Sequence, residues 1–166
     1  MASGRVSRMK QIFVVLICVW LASCGGSAPV EEVKKPALPD LPRAIAEDVR
    51  FPSPNRKSIG VVTAPMLGLS YLGGGNLAEY ETGKQKYKLL LIRCRNATQA
   101  GSYIFDIKNQ MKEPKFVASY GGYFDAATSA GPLFVFAKGS YIGGIAGLNE
   151  EEAIQAGKEF AARIPY

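Results

Sequence analysis

The chain of 166 residues carries 20 Lys+Arg against 14 Asp+Glu, a formal charge of +6, and has no histidine. Without histidine it lacks the commonest general base and metal ligand, so serine, cysteine and histidine triads are excluded. Its three cysteines, Cys18, Cys24 and Cys94, also limit any disulfide framework, and the first two belong to the leader and its end.

Arg5, Arg8 and Lys10 precede an apolar run from Ile12 to Ala22. This is the pattern of a secretory signal peptide, and the run is shorter than the roughly 20 residues that a spanning helix needs. Leu21-Ala22-Ser23-Cys24 closes it. A lipoprotein signal peptidase needs a small residue before the cut and a cysteine after it, because the thiol takes the diacylglycerol. The expectation is a signal peptide over 1–23 and a lipid on Cys24, which makes the membrane the first partner. Gly25 and Gly26 follow, with no aspartate, and by analogy with enterobacterial sorting this points to the outer membrane, facing the periplasm. Loss of Arg5, Arg8 and Lys10 leaves 17 basic against 14 acidic residues, a net +3. That mild balance gives no argument for nucleic acid as a partner. Cys94 then has no internal partner, so stability is expected to come from burial alone.

Residues 24–57 read as an acylated N-terminus and a semi-rigid tether. Pro29, Pro36, Pro39, Pro42, Pro52 and Pro54 remove backbone donors and disfavour helix. Stretched at about 3.1 Å per residue, such a tether reaches roughly 100 Å. A helical turn is expected between Pro42 and Val49.

Residues 58–166 are enough for one modest core. Ser58 to Thr63 is β-branched and reads as a strand. Leu72 to Asn76 reads as a flexible turn, and Leu77 to Tyr80 as the start of a short helix. Lys84 to Arg95 is the clearest strand, apolar on both faces at Leu89 to Ile92. In Asn96 to Met111, Ala100, Tyr103, Ile104, Ile107 and Met111 fall at helical spacing. Strand-like alternation competes there; helix is preferred on length. Phe116 to Tyr123 and Pro132 to Ala137 read as strands, and Tyr141 to Leu148 returns from the Lys138-Gly139 turn as a hairpin partner. Asn149 is placed to cap a terminal helix, with Glu152 reaching back. The expected fold is α+β: a mostly antiparallel sheet covered by two or three helices, with the terminal helix packed on the sheet.

Candidate chemistry is sparse. Glu79, Glu81, Asp106, Glu113 and Asp125 are the carboxylates from which an acid–base pair would be drawn, and none has a recognisable catalytic spacing. Cys94 ends an apolar strand with no base beside it and reads as a structural thiol. Gly73 to Gly75 lacks the lysine and hydroxyl of a phosphate loop. Lys84, Lys86 and Lys88 alternate, which puts three ammonium groups on one side of a strand, either to meet phosphates or an acidic partner or to guard a sticky strand. Tyr120, Tyr123, Phe124 and Asp125 interleave with glycines as in a binding loop, or else fill the core of a bent strand. Tyr141 joins them if the sheet brings the strands together.

In order and local pattern the domain resembles an uncharacterised bacterial lipoprotein family, the domain of unknown function 6599. The likeness is carried by the segment from Tyr71 to Tyr80, by Ala100-Gly101-Ser102-Tyr103, and by the Leu133 to Tyr141 hairpin around Lys138-Gly139. Gly75-Asn76 departs from it, where an alanine and an acidic residue are usual. The resemblance implies an exported α+β domain and carries over no catalytic residue. The expected function is a non-enzymatic binding module of the cell envelope, without cofactor or metal, whose partner is an envelope protein or lipid. A lipid or small-molecule carrier with a pocket lined by Tyr103, Tyr120, Phe124 and Tyr141 is the first alternative. A carboxylate hydrolase is the second.

Overall fold

The computed structural model describes residues 38–166. The leader, Cys24 and the first part of the expected tether lie outside the described residues. One antiparallel sheet of seven strands has the order β1-β2-β3-β7-β6-β5-β4. The strands are β1 (Arg56–Val62), β2 (Gly75–Thr82), β3 (Gln85–Arg93), β4 (Lys115–Val117), β5 (Gly122–Asp125), β6 (Leu133–Lys138) and β7 (Tyr141–Ala146). Helix α1 (Ala97–Gln110) follows β3, and α2 (Glu150–Ala162) follows β7. The fold is α+β, with the last helix packed on the sheet.

Alternation along the central strands divides the core in two. Leu89, Leu91, Phe134, Phe136 and Ile145 point to the face where α2 lays Ala153 and Phe160. Leu90, Ile92, Leu133, Val135 and Ile142 point to the opposite face, where α1 lays Ala100, Tyr103, Ile104 and Ile107. This is why Leu89 to Ile92 reads as apolar on both sides. Complete burial of each such side chain is worth about 1.5–3 kcal/mol. β7 runs through the middle with glycine at two successive positions. A Cβ on Gly143 would come within 2.5 Å of the Phe136 ring, and one on Gly144 within 2.8 Å of Leu90. The backbone of β7 is thus the floor on which one large side chain rests from each face. Asn149 caps α2 by accepting from the Glu152 amide at 3.0 Å. The Glu152 carboxylate accepts instead from Gln85 at 2.8 Å, so the reciprocal half of the expected capping box is absent.

Two local expectations are corrected. Leu77 to Tyr80 is not a helix but the middle of β2, paired through Leu77↔Leu90 to Tyr80↔Tyr87 with β3. Ala78 and Tyr80 turn into the α2-side core while Glu79 faces the other way, a period-2 pattern in a segment too short to distinguish from a helical turn. Gly75 begins that strand because a Cβ there would lie 2.3 Å from the Leu91 carbonyl. Phe116 to Tyr123 is two strands, not one. The amide of Tyr120 turns back to the carbonyl of Val117 at 3.1 Å, and Gly121 sits at φ +60°.

The expected boundary at 57/58 falls within packed structure. From Asp40 to Asn55 the chain forms a strap that crosses from the start of α1 to the α2 face. Asp40 pairs with Arg95, and its carbonyl accepts from Gln99 at 3.0 Å. Glu47 is buried, and its carboxylate accepts from the Tyr141 hydroxyl at 3.1 Å and from Arg50. The Glu47 amide donates to Asn76 Oδ1 at 3.0 Å, and Asn76 Nδ2 donates to the Ile45 carbonyl at 2.8 Å. The helical turn expected between Pro42 and Val49 does not form over 42–47, and a 3-10 turn at Asp48–Arg50 stands at its end instead. Phe51 is buried with its ring 5.1 Å from that of Phe160, and the Tyr80 hydroxyl donates to the Pro52 carbonyl at 2.7 Å. Phe51→Ala is expected to cost about 3 kcal/mol in chemical denaturation, where a residue of a free tether would change nothing.

Candidate functional site

Two surfaces stand out. The first is a groove of about 530 Å³ over the β2–β3 ladder on the α1 side of the sheet. Helix α1 packs chiefly on β6 and β7, which leaves this part of the sheet without a helical cover. In the ladder Glu79 stands opposite Lys88, and Glu81 opposite Lys86. Directly opposed unlike charges on a sheet contribute roughly 0.2–1 kcal/mol each. Lys88 reaches Glu79 at 2.9 Å, and the Ser58 hydroxyl donates to the same carboxylate at 3.2 Å. The Lys88 hydrogen bond is the main reason that the Glu79 carboxyl is held below its ordinary value. It stays ionised at neutral pH, and its pairing is lost only as the pH falls through that lowered value.

A bulge in the pairing of β1 with β2 between Arg56 and Ser58 leaves Lys57 out of register, and its ammonium lies 3.8 Å from Glu81. Lys86 has no carboxylate partner among the described residues. Leu67, Tyr80, Tyr87, Ala130, Ala146 and Gly147 complete the lining. Leu67 sits at φ +56° in the turn Met66–Gly68. A left-handed backbone costs a residue with a Cβ about 1–2 kcal/mol. Lys84 does not join the other lysines, because it lies in the two-residue turn after Thr82, where strand alternation no longer holds.

The second surface is aromatic. Phe105 of α1 and Phe116 of β4 are 57% and 58% exposed. Tyr123 of β5 lies between them, its ring 6.4 Å from that of Phe105 and 5.5 Å from that of Phe116. β4 is the edge strand, with its outer backbone groups unpaired within the sheet.

The suggestive segment Tyr120 to Asp125 is divided between the two faces of the sheet. Tyr123 belongs to the exposed aromatic cluster. Tyr120 is half-buried on the opposite face, 5.7 Å from Phe134 and 5.6 Å from Phe136, and Phe124 is buried on that face too. Tyr141 is buried in the strap contact with Glu47, with Arg50 5.4 Å over its ring. Tyr103 is on the α1 face, where its hydroxyl accepts from the Gly73 amide at 2.6 Å and donates to the Tyr71 carbonyl at 2.9 Å. Burial pushes its phenol up to about 12. The expected pocket of Tyr103, Tyr120, Phe124 and Tyr141 therefore does not form.

Of the carboxylates, Glu79 and Glu81 come together in the groove, while Asp106 and Glu113 are exposed elsewhere. Asp125 is fully buried and accepts from the amides of Lys112 at 2.8 Å and Ala127 at 2.7 Å, so it ties the start of the β4 arm to the β5–β6 loop. Cys94 is buried and has no disulfide partner among the described residues, and burial pushes its thiol up to about 11. Among the described residues no group of three or more acidic, cysteine or histidine side chains is placed to hold a metal ion. Sequence reasoning missed Lys57, Leu67, Phe105 and Phe116. Only Phe105 left a signal, as an aromatic outside the apolar stripe of its helix.

No protein family, curated protein or solved structure matches the chain. The resemblance to the lipoprotein family rests on its short motifs alone. Asp125→Asn is expected to lower stability by about 2 kcal/mol in urea denaturation, because an amide meets donors where a carboxylate accepted them. A binding-loop carboxylate would leave stability unchanged.

Proposed function

We propose that the chain is a bacterial lipoprotein, exported and acylated at Cys24, whose domain is a non-enzymatic binding module on the periplasmic side of the outer membrane. The anchor is supported by the leader and the Leu-Ala-Ser-Cys sequence. The binding role is carried by one observation: Phe105, Tyr123 and Phe116 form an exposed aromatic cluster beside an unpaired edge strand. Aromatic anchors with few rotamers are the residues that dominate protein interfaces. A free edge offers main-chain donors and acceptors to an extended segment, and Phe116 would flank the added strand. The partner is accordingly an extended segment of an envelope protein.

A small-molecule role is the second reading, favoured by the groove over β2 and β3. The carboxylate-hydrolase reading gains nothing from the groove, because Glu79 and Glu81 each face a lysine, whereas a glycosidase-type pair needs one carboxyl that keeps its proton.

The test is capture from detergent-solubilised envelope by the full acylated chain, read by mass spectrometry. Phe105→Ser with Phe116→Ser is expected to leave the melting temperature within a few degrees of wild type. It is expected to lower recovery of the partner about tenfold, the effect of losing roughly 1.4 kcal/mol at an interface. Equal recovery by the folded double variant would overturn the reading. Cys24→Ser is expected to abolish labelling by palmitate, and persistent labelling would overturn the anchor.

A further inference from the structure

We propose that the groove over β2 and β3 binds an amphipathic anion, with a phosphate or carboxylate head on the lysines and an apolar body against Leu67, Ala130 and Ala146. The charges in the groove do not balance. Lys57, Lys86 and Lys88 face two carboxylates, Glu79 and Glu81. Lys88 is engaged by Glu79 at 2.9 Å, and Glu79 also holds the Ser58 hydroxyl. Glu81 has only a long contact with Lys57 at 3.8 Å, and Lys86 has no carboxylate partner among the described residues. One positive charge is left over, on the exposed side chains of Lys57 and Lys86, which come from the two strands that flank β2. A phosphate or carboxylate head supplies the acceptor that Lys86 lacks among the described residues.

The rest of the lining selects for an apolar body. Ala130, Ala146 and Gly147 line the groove with small residues, which keeps its space open. Leu67 lines it from a turn in which its backbone is left-handed at φ +56° and ψ +16°, a conformation that glycine or asparagine would adopt more readily. A leucine kept there presents apolar surface at the cost of backbone strain, a pairing that recurs at ligand sites. A volume of about 530 Å³ lies within the range of small-molecule sites. A bare inorganic anion would leave the Leu67 side unused, and a neutral apolar molecule would make no use of the lysines. The groove shares no lining residue with the aromatic cluster of Phe105, Phe116 and Tyr123, so binding in it is independent of partner docking there.

The test uses the full acylated chain in nanodiscs of zwitterionic lipid, with ¹³C-labelled alanine methyls and hexyl phosphate as the probe, against protein-free nanodiscs. Saturable shifts of the Ala130 and Ala146 methyls are expected. Lys86→Gln is expected to weaken binding about fivefold, as for one partly exposed charge contact. Lys158→Gln, the same charge change on the outer face of α2, is expected to leave it unaltered. Leu67→Asn suits the left-handed backbone and removes the apolar wall, so hexyl phosphate should weaken by a similar factor while inorganic phosphate does not change. Phe105→Ser with Phe116→Ser should bind hexyl phosphate as wild type does. Unmoved Ala130 and Ala146 methyls, or equal weakening by Lys86→Gln and Lys158→Gln, would overturn the proposal. With anionic lipid added to the discs, shifts of the same two methyls that disappear in Lys86→Gln identify a membrane lipid headgroup as the source. Shifts with hexyl phosphate alone identify a soluble anion, and either result supports the site.

Discussion

The structure depends on one constraint: β3, β6 and β7 are apolar on both faces, so both faces of the sheet need a cover. Such strands lose most of their driving force if either face stays wet, because the two cores share the same backbone. Gly143 and Gly144 make the constraint tighter by bringing Phe136 and Leu90 down onto the main chain of β7 from opposite sides. The helices answer it unequally. α1 covers β6 and β7 on one side, and α2 covers them on the other. The β1–β2–β3 half is covered on the α2 side by the strap and on the α1 side only in part. The uncovered part is the groove, where glutamates and lysines replace the missing apolar contacts.

The strap shows how a proline-rich segment becomes part of a fold. Its backbone has few internal hydrogen bonds, so side chains of the sheet satisfy it: Asn76 bonds both Glu47 and Ile45, and Tyr80 bonds Pro52. Glu47 is a buried carboxylate, costly unless partnered, and it has Arg50 and the Tyr141 hydroxyl. Phe51 then supplies the apolar contact with Phe160. Under the proposed acylation at Cys24 the span between lipid and domain is shorter than the sequence suggests, since the packed strap begins near Asp40. The domain would sit correspondingly nearer the membrane.

Much of the fold was legible because the relevant signals were long or chemically specific. The apolar run of β3, the stripe on α1, the Lys138-Gly139 hairpin and the Asn149 cap each state their structure locally. The errors fall where a pattern is short or depends on distant partners. Leu77 to Tyr80 has too few residues to tell period 2 from period 3.6, and β2 is fixed by its ladder to β3. The strap carries a tether's composition and packs through Asn76, Tyr80 and Tyr141, residues that lie far along the chain. The candidate sites were less legible still. Lys86 and Lys88 are visible in the sequence as an alternation, but the carboxylates opposite them follow from the β2–β3 ladder, whose first strand is too short in pattern to read as one. Tyr120, Phe124 and Tyr141 stand out as aromatics and are core or strap contacts, whereas Phe116 looks in sequence like an ordinary apolar residue and Phe105 shows only as an aromatic outside the apolar stripe of its helix.

Packing through Asn76, Tyr80 and Tyr141 places the strap in the same cooperative unit as the twice-buried strands. Native-state hydrogen exchange on the full chain tests it amide by amide. The Glu47 amide, held by Asn76, and the Arg50 amide, held by the Glu47 carbonyl, are predicted to exchange within about tenfold of the β3 and β7 amides, as expected when all open together in global unfolding. Exchange of Glu47 and Arg50 at the rate of an unfolded peptide, while β3 and β7 stay protected, would contradict it.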